Sequence, residues 1–196
     1  MKSVLLRLAS DLLTIPSIMW LGLGATLWAS GGCLIPQEES YLSELPQPRN
    51  RPPRIVESQV QPSERIIRGY GADLCKLEFS IIVEDPDIGD LISAHWYVDY
   101  DPTHSKGADL EYSLTPSSKP LREDRAYFRE DFGALGSKLS TPGDHLVEVI
   151  ISDSRLVGRE PQPRIIKLPD GTDFADPGYT ATYAWFVKTV PGGDCQ

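Results

Sequence analysis

A chain of 196 residues, of which 40% are apolar, is long enough for one globular domain with additional segments. Its 19 basic and 28 acidic side chains give a net charge of −9 at pH 7, which repels phosphate backbones and disfavours nucleic-acid binding. Sixteen glycines and 17 prolines beside only two methionines are typical of a turn-rich, all-β chain.

The N-terminal region carries the pattern of an export signal. Lys2 and Arg7 precede a long uncharged run over residues 12–37. Small residues occupy positions 29–32, and Cys33 follows directly. A basic start, an apolar centre and small residues before a cleavage point predict a secretory signal peptide.

This pattern resembles the lipobox of bacterial lipoproteins, in which a cysteine is acylated and the chain is cut just before it. The resemblance implies a signal peptide over residues 1–32, lipid attachment at Cys33 and, because Leu34 rather than Asp follows, sorting to the outer membrane. Ser30 departs from the family, which usually has Leu there. Two alternatives stay open: an uncleaved anchor, since a span needs about 20 apolar residues, and ordinary secretion with a spare thiol.

Three cysteines are an odd number for an exported protein. If Cys33 carries lipid, Cys75 and Cys195 remain, and we expect them to form a disulfide closing a loop of about 120 residues. The alternative is two unpaired thiols, because sequence alone does not bring two Cα atoms within bonding distance.

Residues 33–54 are rich in proline and charge and follow no period, which predicts an extended tether after the lipidated cysteine. Residues 55–196 then form the domain. Four stretches of alternating apolar and polar residues predict its central strands, at 77–83, 92–100, 145–152 and 179–188. Weaker patterns predict strands at 65–68, 126–131 and 164–168. About seven short strands separated by turn signals favour an antiparallel β-sandwich.

Two stretches resemble the extracellular immunoglobulin-like modules of bacteria, of the PKD and cadherin-like type. In residues 83–99 an acidic turn leads into a strand containing Trp96, and residues 143–153 resemble a later strand ending in Asp. The whole chain also resembles lipoproteins of myxobacteria with a tether and a sandwich. The resemblance implies an immunoglobulin-like antiparallel β-sandwich at the cell envelope, and it implies no activity.

The acidic turn Glu84–Asp90, together with Asp153, offers hard oxygen ligands of the kind that calcium prefers. The alternative is a polar turn in which the carboxylates cap their own backbone. His95 and His145 are expected at the surface, and no motif of a nucleophile, phosphate loop or zinc site occurs. We therefore predict no catalytic residues, no cofactor and no metal.

Aromatic residues concentrate on two of the predicted strands. Tyr97 and Phe186 lie on the faces opposite the core, which predicts either an exposed platform for sugar or protein, or cross-strand packing pairs. The 154–178 segment is longer than a hairpin connection and is predicted to be a projecting loop or an added strand pair. Because binding concentrates in loops on rigid scaffolds, this segment is the first candidate binding surface.

These observations predict a lipid-anchored cell-envelope protein whose immunoglobulin-like domain has a binding or structural role and catalyses no reaction. Its expected partners are the membrane, through the N-terminal lipid, and an envelope protein or surface glycan, but no nucleic acid. A calcium- or carbohydrate-dependent adhesion module is the alternative, followed by an enzyme of unrecognised type.

Overall fold

A computed structural model of the chain describes residues 50–190 and Cys195. In this part of the chain the regular elements are strands and two short 3-10 helices, and no helix is long and apolar enough to cross a membrane. The predicted signal peptide, Cys33 and most of the predicted tether lie outside the described residues.

The strands of the described region are joined mostly by short turns, and the two 3-10 helices cover Glu57–Gln59 and Pro102–His104. The strands are β1 (Arg54–Ile55), β2 (Ile66–Tyr70), β3 (Lys76–Ile81), β4 (Val83–Glu84), β5 (Ile92–Val98), β6 (Leu110–Leu114), β7 (Ala126–Asp131), β8 (Gly143–Ser152), β9 (Leu156–Val157), β10 (Glu160–Pro161), β11 (Arg164–Lys167), β12 (Asp173–Asp176) and β13 (Thr180–Thr189). The predicted all-β class is confirmed. The count of about seven is not, because residues 50–190 contain thirteen strands, several of only two residues.

The largest sheet has five strands in the order β2-β13-β8-β5-β6. Its neighbours are antiparallel except β2 and β13, which run parallel. A second layer is formed by β3 with β7 and by β1 with β4. The chain after β1 stays beside this layer, since the Val56 N–H donates to the Ile82 carbonyl and Gln61 bridges Ser80. Two layers of strands around one core are consistent with a β-sandwich.

The core lies between these two layers and is centred on aromatic rings. Phe79 of β3 meets Trp185 of β13 at 5.1 Å between ring centroids, and Trp96 of β5 meets Phe128 of β7 at 5.8 Å. The predicted inward faces are confirmed except at Tyr100, which was predicted to share the face of Trp96 and instead lies with Tyr97 under Arg159. Four sets of alternating residues are buried: Leu77, Phe79, Ile81 and Val83; Ile92, Ala94, Trp96 and Val98; Val147, Val149 and Ile151; and Tyr183, Trp185 and Val187.

The 154–178 segment forms two added strand pairs. β9 pairs with β10, and β11 pairs with β12 in a longer hairpin. The first pair lies against the outer face of the five-stranded sheet, where Arg159 contacts side chains of β5 and β8. Of the two predicted forms, a projecting loop or added strands, the structure has the second.

The predicted disulfide is present between Cys75 and Cys195, with 5.1 Å between their Cα atoms. It ties the residue before β3 to the chain beyond β13. The Phe132 N–H donates to the Cys75 carbonyl, so the bond lies beside the loop that follows β7. The disulfide therefore joins both layers at one end of the sandwich.

We expect the double variant Cys75→Ala/Cys195→Ala to lose about 2–5 kcal/mol of unfolding free energy, because the reduced chain regains the entropy of an open loop. Urea unfolding compares it with the parent chain, both carrying Cys33→Ser. Dithiothreitol should lower the urea midpoint of the parent to that of the double variant and leave the midpoint of the double variant unchanged. Equal urea midpoints without reductant would contradict the expectation.

Candidate functional site

A cleft of about 530 Å³ opens at the end of the sandwich opposite the disulfide. It lies between the 154–178 segment, the end of β8 and the first described residue of the chain. Its lining residues are Asn50, Asp153, Ser154, Arg155, Val157, Gln162, Pro163, Arg164, Asp176, Pro177 and Gly178. The segment that the sequence singled out as a binding surface thus forms most of the cleft wall.

Asn50 is buried at the base of this cleft, with 7% of its surface exposed. Its Nδ2 donates to Asp153 Oδ2 at 3.0 Å and to the Pro177 carbonyl at 2.7 Å, while its backbone N–H donates to Asp176 Oδ1. Because both side-chain partners accept hydrogen bonds, the orientation of the amide is determined and Oδ1 is left without a partner in the described region. Residue 50, which the sequence assigns to the tether, therefore contacts the folded domain.

Two aspartates beside Asn50 supply the carboxylates of the cleft. Asp153 Oδ1 accepts from the Tyr179 N–H at 2.7 Å, and Asp176 Oδ2 accepts from Arg164 at 3.1 Å. Burial raises the pKa of Asp153, and the nearby charges of Asp85 and Asp90 raise it further. The cleft thus has a carboxylate base and a guanidinium rim, since the Arg164 side chain is 61% exposed.

Gly178 allows two parts of the cleft wall to approach closely. A Cβ atom built on this residue would lie 1.9 Å from Ser154 Oγ and 2.9 Å from the Gln162 carbonyl oxygen. The end of β8 and the chain entering β13 could not remain this close with any other residue. Any side chain at position 178 would push the cleft walls apart.

Arg159 holds the β9–β10 pair against the sheet. Its guanidinium donates two hydrogen bonds to Glu148, at 3.1 and 3.0 Å, and lies over the rings of Tyr97 and Tyr100 at 5.0 and 4.5 Å from their centroids. Tyr97 is only 2% exposed as a result. Of the two predicted alternatives, an exposed platform and packing within the fold, the structure therefore has the second for Tyr97, whereas Phe186 is exposed.

The acidic turn is held by arginines. Glu84 pairs with Arg54 and Asp87 with Arg51, both near the surface. Asp90 lies 3.9 Å from Arg164. The fourth carboxylate, Asp85, makes a fully buried pair with Arg122 at 3.2 Å.

Calcium would have to displace these arginines. Among residues 50–190 and Cys195, no group of three or more His, Cys, Asp or Glu side chains is positioned to hold a metal ion. Arg122 also donates to the carbonyls of Asp87 and Ile88, so the acidic turn is held in place by hydrogen bonds within the fold.

Ser93, His95 and Glu111 follow one another on the outer face of β5 and β6. Ser93 Oγ lies 2.9 Å from His95 Nε2, and Glu111 Oε1 lies 3.6 Å from His95 Nδ1. Acyl transfer also needs free N–H groups to bind the oxyanion. β5 is paired on both sides, with β6 and β8, so its N–H groups are already used in the sheet. β5 itself therefore supplies no free N–H group for an oxyanion beside Ser93.

His145 was predicted at the surface, and this prediction is wrong, because the side chain is buried beside Asp99. Nδ1 lies 2.6 Å from Asp99 Oδ2 and Nε2 lies 2.7 Å from the Thr141 carbonyl, so both nitrogens face acceptors, an arrangement that favours the doubly protonated ring. Burial alone would lower the pKa of His145, but these two hydrogen bonds and the charges of Asp99 and Asp144 raise it above its usual value.

This raised pKa makes the stability of the domain pH-dependent. The folded state binds the proton more tightly than the unfolded state, so the stabilisation is complete below about pH 6.5 and is lost as the pH rises through the folded pKa. We expect His145→Gln to be most destabilising in mildly acidic solution and least so in alkaline solution. Urea midpoints measured across this range test it, with His104→Gln as an exposed control. A constant difference at every pH would contradict the expectation.

No family model, curated protein or solved structure matches the chain.

Proposed function

We propose that this chain is an exported protein, anchored by lipid at Cys33, whose immunoglobulin-like domain binds an envelope protein or a surface glycan without catalysing a reaction. The observation that carries the binding role is the cleft between the 154–178 segment and the end of β8. The observation that carries export and anchoring is the ordered pattern of basic start, apolar centre and small residues before Cys33.

The strand order supports the immunoglobulin-like assignment. In immunoglobulin modules the third, sixth and seventh main strands lie side by side in one sheet. The corresponding strands here are β5, β8 and β13, which are adjacent in the five-stranded sheet, and β3 takes the place of the second main strand. β6 extends that sheet at one edge, as in variable-type modules. A buried Trp on the third strand is a further shared feature, since Trp96 is fully buried on β5. The disulfide differs in position, because it joins the residue before β3 to the chain beyond β13, whereas in antibody domains it joins the second and sixth main strands.

The location of the cleft supports binding. In variable-type modules the loops after the second and sixth main strands lie at one end and contact ligand. Here the corresponding connections are the turn after β4 and the 154–178 segment, which approach each other through Asp90 and Arg164. A rigid sandwich that carries an enlarged loop at this end is a common arrangement for recognition.

The chemistry of the cleft suits a polar ligand. Arg155 and Arg164 provide hydrogen-bond donors, and the carboxylates of Asp153 and Asp176 lie deeper in the same cleft. Apolar wall is supplied by Val157 together with the two prolines. A mixed lining of this kind fits glycan hydroxyl groups or the polar backbone of a protein loop.

Mass spectrometry of the membrane-fraction protein, made with its own signal sequence, tests the anchor. We expect the mature chain to start at an acylated Cys33. The variant Cys33→Ser should leave the membrane fraction or retain its signal peptide. A wild-type chain that starts at Met1, or one whose Cys33 is unmodified, would overturn the lipoprotein part of the proposal.

Photo-crosslinking in intact cells tests the binding role. A photo-reactive amino acid is introduced at Val157, on the cleft wall, and separately at Leu135, which is fully exposed outside the cleft. We expect a discrete adduct only from position 157, and its loss when Gly178→Ala distorts the cleft. Gly107→Ala is the matched control, since a Cβ there meets no neighbouring atom. Equal adducts from both positions, or an adduct unaffected by Gly178→Ala, would overturn the assignment of the cleft.

A further inference from the structure

A second groove, of about 510 Å³, lies on the outer face of the five-stranded sheet where β2 meets β13. It is lined by Ile66, Arg68, Asp144, Phe186, Val187 and Lys188. None of these residues lines the cleft beside the 154–178 segment. The groove is therefore a separate surface.

The floor of this groove is apolar. Ile66 and Phe186 lie directly opposite each other in the β2–β13 pairing. Their exposed fractions are 57% and 58%, which are high for two adjacent large apolar side chains on a sheet. Adjacent exposed apolar side chains on a rigid sheet mark a contact surface more often than single scattered ones.

The rim of the groove is positively charged. Arg68 and Lys188 are also opposite each other in the pairing. They lie two residues beyond Ile66 and Phe186 along their strands and therefore on the same face of the sheet. Neither cation forms an ion pair with another side chain in the region that the structure describes. Asp144, opposite Lys188 on β8, contributes one negative charge. The groove is thus locally positive on a chain whose net charge is −9.

The groove also borders a sheet edge. β2 is the last strand of the five-stranded sheet, and no described strand pairs with its other side. Because the Phe186 N–H donates to the Arg65 carbonyl, the alternate residues Ile66 and Arg68 direct their backbone groups away from β13. These groups can pair with an extended chain laid along the edge.

We propose that this groove binds an extended acidic segment of a partner protein. An apolar side chain of the segment contacts Ile66 and Phe186, its carboxylates pair with Arg68 and Lys188, and its backbone adds to the edge of β2. The charges decide against a second copy of the chain, because pairing two β2 edges brings two copies of the Arg68 and Lys188 pair together. The edge of β2 decides against an anionic membrane, because lipid head groups cannot pair with the outward backbone groups of Ile66 and Arg68 as an extended chain can.

Fluorescence anisotropy with detergent-solubilised full-length protein tests this proposal. The probe is a labelled synthetic peptide of alternating Glu and Val, and its comparison is the same peptide with Lys in place of Glu. We expect saturable binding of the acidic peptide only, with slowed hydrogen exchange over residues 65–70. Arg68→Glu/Lys188→Glu should weaken binding at least about tenfold, since two exposed charge pairs become repulsive. Phe186→Ser should also weaken it.

The control is Lys119→Glu/Lys167→Glu, which changes the net charge equally at exposed positions outside the groove. We expect it to bind the acidic peptide as the parent does. Equal binding of the Lys peptide, an equal loss in the control, or slowed exchange elsewhere would overturn the proposal. If the protein dimerises and Phe186→Ser abolishes the dimer, the occupant of the groove is a second copy of the chain. If the protein pellets with phosphatidylglycerol vesicles and Arg68→Glu/Lys188→Glu abolishes this, the occupant is a membrane. Either result would overturn the proposed partner. Gly178→Ala should not change peptide binding, so this test is independent of the cleft.

Discussion

Replacing Trp96 with alanine is expected to lower the free energy of unfolding by about 3–5 kcal/mol. The indole is fully buried and stacks between Trp185, at 5.9 Å, and Phe128, at 5.8 Å. Removing it leaves a cavity where the two layers meet, which the stiff aromatic neighbours fill poorly. Urea unfolding of the variant and parent measures the loss. An unchanged midpoint would contradict the assigned face of β5.

Phenylalanine substitutions refine this prediction, because the two core tryptophans differ in their hydrogen bonding. Trp185 Nε1 donates to the Pro62 carbonyl at 2.9 Å, whereas Trp96 Nε1 has no partner in the described region. We expect Trp185→Phe to cost about 1 kcal/mol more than Trp96→Phe, since only the former leaves a carbonyl unpaired. Phe186→Ala, at an exposed aromatic, should change stability by less than about 0.5 kcal/mol.

Arg122→Met is expected to be comparably destabilising, by about 3–5 kcal/mol, because it leaves Asp85 buried without its cation. Both side chains of this pair are fully buried. Arg122 also donates to the carbonyls of Asp87 and Ile88, so the turn after β4 loses its main support. Urea unfolding measures the loss. The double variant Asp85→Asn/Arg122→Met should be less destabilised than Arg122→Met alone, and equal or greater destabilisation would contradict a charge-pair origin.

The pH dependence of Arg122→Met follows from Asp85. Burial raises the pKa of Asp85, while the hydrogen bond and charge of Arg122 oppose that rise. Without Arg122 the folded pKa rises further, so the folded state binds the proton more tightly than the unfolded state. Stability is then greatest in acid and falls as the pH rises through the folded pKa. We expect the penalty of Arg122→Met to be smaller at about pH 4.5 than at about pH 7.5.

The inward faces of the main strands were predictable because burial on one side of a strand enforces an alternation of period two. Ile92, Ala94, Trp96 and Val98 show this pattern over the length of β5, and all four are buried. β6 was missed because it lies at the sheet edge, where only Leu114 is buried and the outer positions are exposed. The two-residue strands β9 and β10 are too short to carry any period.

The outward faces were predicted less well, since alternation says which side chains point away from the core and not what later covers them. Tyr97 points outward but is buried by Arg159 from a hairpin 62 residues later in the chain. His145 is the third residue of β8, near the sheet end, and Asp99, directly after the neighbouring strand β5, reaches it. Asn50 lies in a proline-rich stretch typical of a tether, and its burial depends on three groups more than 100 residues away.

Local sequence was therefore sufficient for the all-β class and the inward faces of the main strands, because period is a property of short stretches. The cysteine count made Cys75 and Cys195 the expected pair, but only the fold brings their Cα atoms to 5.1 Å. The cleft, the buried Arg122–Asp85 pair and the groove beside Phe186 arise only when distant segments meet. Arg122 and Asp85 are 37 residues apart, and nothing near either residue indicates its partner. Burial removes such charges from water, so each needs a partner that only the packed chain supplies.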